Sequence, residues 1–359
     1  MEIPVERPAR GEKIKVLICD DSLVAREMLA TILSSDEEIE VVGMVENGQD
    51  AVDAVARLRP DLVTMDIHMP KMDGLQATER IMAFTPTPIL VVSSSVHGEG
   101  MGRAFDALSS GALEVIKKPE PKDWAALESI GRDVIRKVKI LSRVRVITHI
   151  KGRRQPLTTH GAPVPAHIVP PGRIGLVAIG SSTGGPSALL NILGRLPKDF
   201  PVPIVVAQHI ADGFVPGLVS WLDAGCKIWV RAADDGETAE PGCAYFAPTG
   251  QNMEVDGTHL RFVKPLTGQL YIPSADTLFE SVARAYGNRA VGVLLTGMGA
   301  DGARGLKTLR DRGAPTIAQD EASSTVFGMP KSAIEIGAAR SVLPVHEIAG
   351  ELETLVHPS

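Results

Sequence analysis

At 359 residues the chain is long for one domain, and 44% hydrophobic with 22% charged residues is the supply of a water-soluble protein with two cores of normal size. A formal net charge of −6 argues against nucleic acid as a partner, and the three cysteines, Cys19, Cys226 and Cys243, lie too far apart for a CxxC zinc site or a disulfide framework, which fits a reducing compartment. No apolar run approaches the ~18 residues that span a bilayer, and the N-terminus MEIPVERPARGEK has no signal-peptide core, so a cytoplasmic protein without direct membrane insertion is expected.

Residues 1–12 are expected to form a disordered tail. From Lys13 onward, short apolar runs predict strands at Ile14–Cys19, Val41–Met44, Leu62–Met65, Ile89–Val92 and Leu113–Ile116. Stretches with helical spacing, such as Val24–Leu33 and Ala51–Leu58, lie between them, and a further amphipathic helix is predicted from about Trp124 to about Val144. This β-α alternation predicts a doubly wound parallel α/β unit over 13–135. Residues 136–172 read as the end of that helix followed by a basic, proline-rich linker. No Asp or Glu occurs between Ile140 and Arg173, while Pro156, Pro163, Pro165, Pro170 and Pro171 break any helix. A second α/β unit is predicted over 173–357. Its strands are expected at Ile174–Ile179, Val202–Ala207, Ile228–Val230, Gly292–Leu295 and Pro315–Ala318, and its helices at Ser187–Leu196, Ala275–Tyr286, Ala303–Arg312 and Ser332–Ile336.

In open α/β sheets chemistry gathers outside the carboxyl ends of the strands. In the first unit those ends carry Asp20 and Asp21, Asp66, Ser93 and the pair Lys118-Pro119. Three clustered carboxylates repel one another and require a cation; their hard oxygen donors suit Mg2+. Asp66 is then placed to attack phosphorus and form an acyl phosphate, with Lys118 neutralising a phosphoryl oxygen and Ser93 hydrogen-bonding one. Any one of these aspartates alone could instead be a helix cap.

In the second unit, Gly180-Ser181-Ser182-Thr183-Gly184 matches G-x-S-x-G between a strand and a helix, the setting of a nucleophile elbow that exposes Ser182. His209 follows the next strand and Asp301 follows a third, so a base and its orienting carboxylate are available at the same sheet edge. The chain order Ser, His, Asp is not that of the α/β-hydrolases. Other readings exist for each part: a phosphate cradle for the glycine loop, a core histidine, a capping aspartate. Gly297-Met298-Gly299-Ala300-Asp301-Gly302 also matches G-x-G-x-x-G, with Asp320 roughly 20 residues on, which would suit a dinucleotide-binding oxidoreductase.

The paired Asp20-Asp21, the single Asp66 and Lys118-Pro119 fall in register with response-regulator receiver domains. IGSSTGGP, QHIADGF, LLTGMGADGARGL and QDEASSTVFGMPKSA resemble the successive signature blocks of the catalytic domain of chemotaxis protein-glutamate methylesterases. The resemblance implies a flavodoxin-like receiver with a parallel five-stranded sheet in the order 2-1-3-4-5, joined to a doubly wound methylesterase domain. It carries the phospho-acceptor role to Asp66, metal binding to Asp20, Asp21 and Asp66, and the catalytic triad to Ser182, His209 and Asp301. The backbone amide of Met298 is implied at the oxyanion, and that of Thr183, which follows the nucleophile, is a second candidate. One position departs: the aromatic switch residue often found three places before the lysine is Val115 here.

The same resemblance implies the substrate, γ-glutamyl methyl esters on the cytoplasmic helices of chemoreceptors, together with deamidation of receptor glutamines. It implies a chemotaxis histidine kinase as phosphoryl donor, and a receiver that covers the catalytic mouth until phosphorylated. Mg2+ is expected at the receiver, no cofactor for hydrolysis, and a monomer. A non-catalytic, phosphorylation-dependent receptor adaptor is the alternative outside enzymology.

Overall fold

Most of the apolar runs become strands buried on both faces, as a sheet covered by helices on either side requires, while the edge strands stay partly exposed. The computed structural model describes residues 12–94, 99–119, 124–146 and 174–357. The expected tail and most of the proline-rich linker lie outside the described residues. The chain divides into two compact units, one within Met1–Lys151 and the other within Gly152–Ser359. No described helix is long and apolar enough to cross a membrane.

The first unit runs β1 (Ile14–Cys19), α1 (Leu23–Ser34), β2 (Ile39–Val45), α2 (Gly48–Leu58), β3 (Leu62–Met65), α3 (Gly74–Phe84), β4 (Ile89–Ser93), α4 (Glu99–Ser109), β5 (Glu114–Lys117) and α5 (Trp124–Leu141). Its five strands pair in parallel in the order β2-β1-β3-β4-β5. The expected sheet is therefore the one observed. Helix starts follow side-chain chemistry: Ser22, Asn47 and Asp73 each accept a hydrogen bond from a backbone N–H of the first turn of α1, α2 and α3. The strand order reverses beside β1, which opens the crevice at the carboxyl ends of β1 and β3.

The second unit continues with β6 (Leu176–Ser181), α6 (Gly185–Leu193), β7 (Ile204–Gln208), α7 (Val215–Gly225), β8 (Trp229–Ala232), β9 (Cys243–Phe246), β10 (Asn252–Asp256), β11 (His259–Val263), α8 (Ala275–Tyr286), β12 (Ala290–Leu294), α9 (Ala303–Asp311), β13 (Thr316–Gln319), α10 (Met329–Glu335), β14 (Ser341–Leu343) and α11 (Val345–Val356). Seven strands form a parallel sheet in the order β14-β13-β12-β6-β7-β9-β8, while β10 and β11 form a separate antiparallel hairpin. Helix α8 drives Leu278, Phe279 and Val282 into the core beside Leu294 and Leu306. The chain winds outward from β6 through β7 to β8 and β9, then returns to β12 on the other side. The carboxyl ends of β6, β7 and β12 are thus neighbours at the reversal.

Candidate active site

In the first unit Asp20 and Asp66 are buried at 0% and 3% exposure, at the ends of adjacent strands. Lys118 Nζ lies 2.8 Å from Asp20 Oδ2 and 2.8 Å from Asp66 Oδ2, bridging them. The Lys118 backbone N–H donates to Ser93 O (2.9 Å), which ties the lysine to the end of β4. Ser93 itself is fully buried at that end. Ile67 N–H donates to Asp66 Oδ1 (2.7 Å), and Ser22 N–H to Asp20 Oδ1 (2.9 Å). Burial pushes the Asp66 carboxyl up; the hydrogen bond and charge of Lys118 pull it back without offsetting the burial and the neighbouring Asp20 charge, so it stays above the ordinary carboxylate value. Burial likewise opposes the Lys118 ammonium, yet its two carboxylate partners hold it above the usual lysine value. Val115, where an aromatic was absent from the sequence, is buried on β5.

Asp20, Asp21 and Asp66 offer carboxylate oxygens within 4.8 Å of one another. Three carboxylates against one ammonium leave two negative charges uncompensated by Lys118. The Arg26 guanidinium sits on the Asp20 carbonyl oxygen (2.5 Å) and not on these carboxylates. The donor set therefore fits a divalent, oxygen-preferring cation.

In the second unit His209 and Asp301 meet: His209 Nε2 is 2.8 Å from Asp301 Oδ2. Asp301 also accepts hydrogen bonds from Ser274 Oγ (2.8 Å), Ala275 N–H (2.7 Å) and Asp276 N–H (3.2 Å), at the start of α8. Burial works against the Asp301 carboxylate, but the bond and charge of His209 and the donors of Ala275 and Ser274 more than offset it and hold it below the ordinary value. An ionised carboxylate only accepts, so Nε2 carries the proton and, in the neutral ring, Nδ1 carries the lone pair. Nδ1 is buried and has no hydrogen-bond partner among the described residues. The face of the ring stacks on Tyr271, with centroids 4.8 Å apart and planes at 9°.

Ser182 stands just past β6, next to the strand that leads to His209. His209 N–H donates to Ser181 O (2.9 Å), and Gln208 Nε2 donates to both Ser182 O (3.0 Å) and His209 O (2.8 Å). Ser181 Oγ, the other hydroxyl of the loop, is committed to Gln208 Oε1 (2.6 Å). On the other side Ser182 N–H donates to Thr296 O (3.0 Å), and Thr296 Oγ1 donates to Thr183 O (2.9 Å). Among the described residues neither the Thr183 nor the Met298 backbone N–H donates a hydrogen bond within the protein. Both lie in the turns that flank Ser182.

Residues 177–352 match a family model described as CheB methylesterase, and 16–126 match one described as response regulator receiver domain. The chain is 44% identical over 344 residues to protein-glutamate methylesterase/protein-glutamine glutaminase 4 of Geobacter metallireducens, covering 95% of this chain and 99% of that one. It is 45% identical over 353 residues to protein-glutamate methylesterase/protein-glutamine glutaminase 1 of Syntrophus aciditrophicus, covering 95% and 98%. This chain belongs to the protein-glutamate methylesterase/protein-glutamine glutaminase family. It is also similar to the crystal structure of the Thermotoga maritima CheB methylesterase catalytic domain, at 40% identity and a TM-score of 0.48 over 51% of this chain and 99% of that one.

Membership in the methylesterase family agrees with how the glycine loops are filled, and together they overturn the dinucleotide reading. A Cβ on Gly299 would lie 2.4 Å from Tyr271 Oη, and one on Gly302 2.6 Å from Leu294 Cδ1. The close approach these glycines permit is thus used to pack protein side chains against the turn. Asp320 is engaged as well: Ser323 N–H (3.0 Å) and Oγ (2.6 Å) both donate to its Oδ1. The loop at Gly184 likewise packs on Thr325, whose Oγ1 would be 2.3 Å from a Cβ there.

Sequence reasoning missed Gln208, Tyr271, Ser274 and Thr296, which hold the site. Ser274 had a signal, since a serine before ADTLFES marks a helix start; that it also donates to a carboxylate 27 residues away had none. Gln208, Tyr271 and Thr296 act through neighbours brought in by the sheet, and nothing local announces them.

Proposed function

We propose that this chain hydrolyses γ-glutamyl methyl esters of chemoreceptors, deamidates receptor glutamines at the same site, and is controlled by phosphorylation of Asp66. The observation that carries the reading is the His209–Asp301 pair, whose Nδ1 has no partner among the described residues and whose backbone N–H bonds to Ser181 O beside Ser182.

His209 Nδ1 takes the Ser182 Oγ proton as Oγ attacks the ester carbonyl carbon. The Thr183 and Met298 N–H groups donate to the oxyanion. On collapse the C–O bond to methoxide breaks, and His209 returns the proton to release methanol. A water then gives a proton to His209 and its hydroxide attacks the acyl carbon. Ser182 leaves with the proton from His209, and a glutamate side chain remains. With a glutamine substrate the leaving group is ammonia. Asp301 keeps the imidazole in the Nε2–H tautomer and stabilises the imidazolium.

In the receiver, a carboxylate oxygen of Asp66 attacks the phosphorus of a phosphohistidine on the donor kinase, and the donor imidazole leaves. Lys118 and Ser93 receive phosphoryl oxygens, and Asp20, Asp21 and Asp66 are the residues that would hold Mg2+. When bound, the cation supplies charge neutralisation between these carboxylates and the incoming phosphoryl group. Phosphorylation adds charge at Asp66 and biases a two-state receiver that restrains the hydrolase when unmodified. The soluble surroundings and single-copy action read from the sequence complete the proposal.

Methanol release from methylated receptor, with and without a phosphoryl donor, is the direct test. Ser182→Ala abolishes release while the far-UV circular dichroism stays that of the parent. Wild-type turnover in that variant would reassign the nucleophile, and no methanol from the parent would leave the adaptor reading.

A further inference from the structure

Among the described residues of the second unit, Leu266 and Leu270 are the most exposed large apolar side chains, at 80% and 88%. Soluble proteins commonly expose single leucines, but this pair sits on a loop whose shape is fixed by the half-buried Gln269 and the buried Asn252. Gln269 lies between them. Its Oε1 accepts from Leu266 N–H (3.0 Å) and Asn252 Nδ2 (3.0 Å), and its Nε2 donates to Asn252 Oδ1 (3.2 Å) and Tyr271 O (3.1 Å). Gln269 N–H donates to Leu266 O (3.0 Å), closing the turn.

The same network reaches the reaction centre from two sides. Asn252, at 2% exposure, also accepts the Ser274 N–H (2.9 Å), and Ser274 Oγ donates to Asp301. Tyr271, bonded directly to Leu270, stacks on the imidazole of His209. The chain therefore carries two leucines out into solvent, reaches His209 at Tyr271 immediately after the second of them, and is anchored on Asp301 three residues later at Ser274. A loop held this firmly has not failed to bury its leucines through slack. It presents them.

We propose that Leu266 and Leu270 form an apolar docking lip for the protein substrate, a helical segment with apolar side chains next to its esterified glutamate. The occupant follows from continuity: the lip ends at the residue before Tyr271, which stacks on His209, so a segment delivering an ester carbonyl to Ser182 passes beside it. The inference rests on the methylesterase reading and goes beyond it by assigning the contact that selects protein over small esters.

The test compares the full chain with a Leu266→Ser/Leu270→Ser double variant on two substrates, methylated receptor and a blocked glutamate γ-methyl ester. With receptor, KM rises by about tenfold and kcat holds, the signature of lost uniform binding at an anchor. With the small ester, kcat/KM is unchanged. Unchanged KM for receptor overturns the lip. So does an equal loss on both substrates, which would make the leucines structural supports of the site. A parent that dimerises with rising concentration, with the variant remaining monomeric, assigns the leucines to self-association and overturns it too. A failure of the methylesterase reading looks different: the parent releases methanol from neither substrate.

Discussion

Asp301 accepts four hydrogen bonds, from His209, Ser274, Ala275 and Asp276, and every one of them favours the ionised form. The carboxylate is therefore both the tautomer-setting partner of His209 and the plug that satisfies the first N–H groups of α8. Asp301→Asn retains the shape but turns an NH2 toward these donors. Turnover is expected to fall by roughly 10^3–10^4-fold, as when a triad imidazole loses its tautomer control. Stability changes with a definite sign. The Asp301 carboxyl is depressed in the folded protein, so its contribution is present above the ordinary carboxylate value and is lost as pH falls through the depressed one. The difference in urea midpoint between parent and Asp301→Asn should therefore be widest near neutral pH and narrow below about pH 4. A difference that is constant across that range would mean the carboxylate gains nothing from its donors.

At the scale of elements, the turns after β12 and before α10 brace the turn that carries Ser182. Met329 N–H (2.9 Å) and Gly328 N–H (3.1 Å) donate to Gly297 O, and Gly297 N–H donates to Val326 O (3.0 Å). A Cβ on Gly297 would lie 2.3 Å from Met329 Sδ and 2.7 Å from Ser182 Cβ. Gly297→Ala thus forces either the fully buried Met329 or the elbow itself to move, at about 1–3 kcal/mol. Methanol release should fall along with the melting temperature. Gly350→Ala is the contrasting case: a Cβ there meets nothing within 4 Å, and the site is interior to α11, so a gain of roughly 0.5–1 kcal/mol is expected with activity unchanged. The same distinction explains what could be read without coordinates. Strands such as Leu62–Met65 were legible to the residue because burial on both faces leaves an unbroken apolar run. Strand β14 (SVL) was missed, being three residues with no pattern of its own, while β9 (CAYF) was missed although it is as short, apolar and buried as Leu62–Met65. The β10–β11 hairpin was missed although Asp256-Gly257 marks its turn, with Gly257 at φ 61°. The helices α7 and α11 were also overlooked; each is mostly apolar on one side and docks on the sheet without a strong start signal, both lacking a side-chain cap. Ser182, His209 and Asp301 stood out as candidates because each follows a strand, whereas Tyr271 sits in a long connection whose path only packing fixes.

At the scale of the whole molecule, two parallel sheets each place their chemistry at a reversal of strand order, Asp66 beside β1 and Ser182 beside β6. Each unit is organised around its own sheet and buried apolar core, so a fragment holding either one keeps a complete sheet and core. That independence makes the regulatory proposal open to a direct comparison. If the unmodified receiver restrains the hydrolase, a fragment beginning at Arg173 releases methanol faster than the unphosphorylated full chain and ignores the phosphoryl donor. The full chain gains activity with donor and Mg2+, and Asp66→Asn, which keeps the shape of the side chain but cannot form the acyl phosphate, holds the full chain at its basal rate. Val115 bears on how the signal moves. With no ring to rotate at that buried position on β5, the proposed route of release is the new charge at Asp66 acting through Lys118 and Ser93, so Val115→Ala should alter activation much less than Lys118→Ala. A fragment no faster than the unphosphorylated full chain would remove restraint from the account and leave the receiver as an activator that adds something the hydrolase lacks.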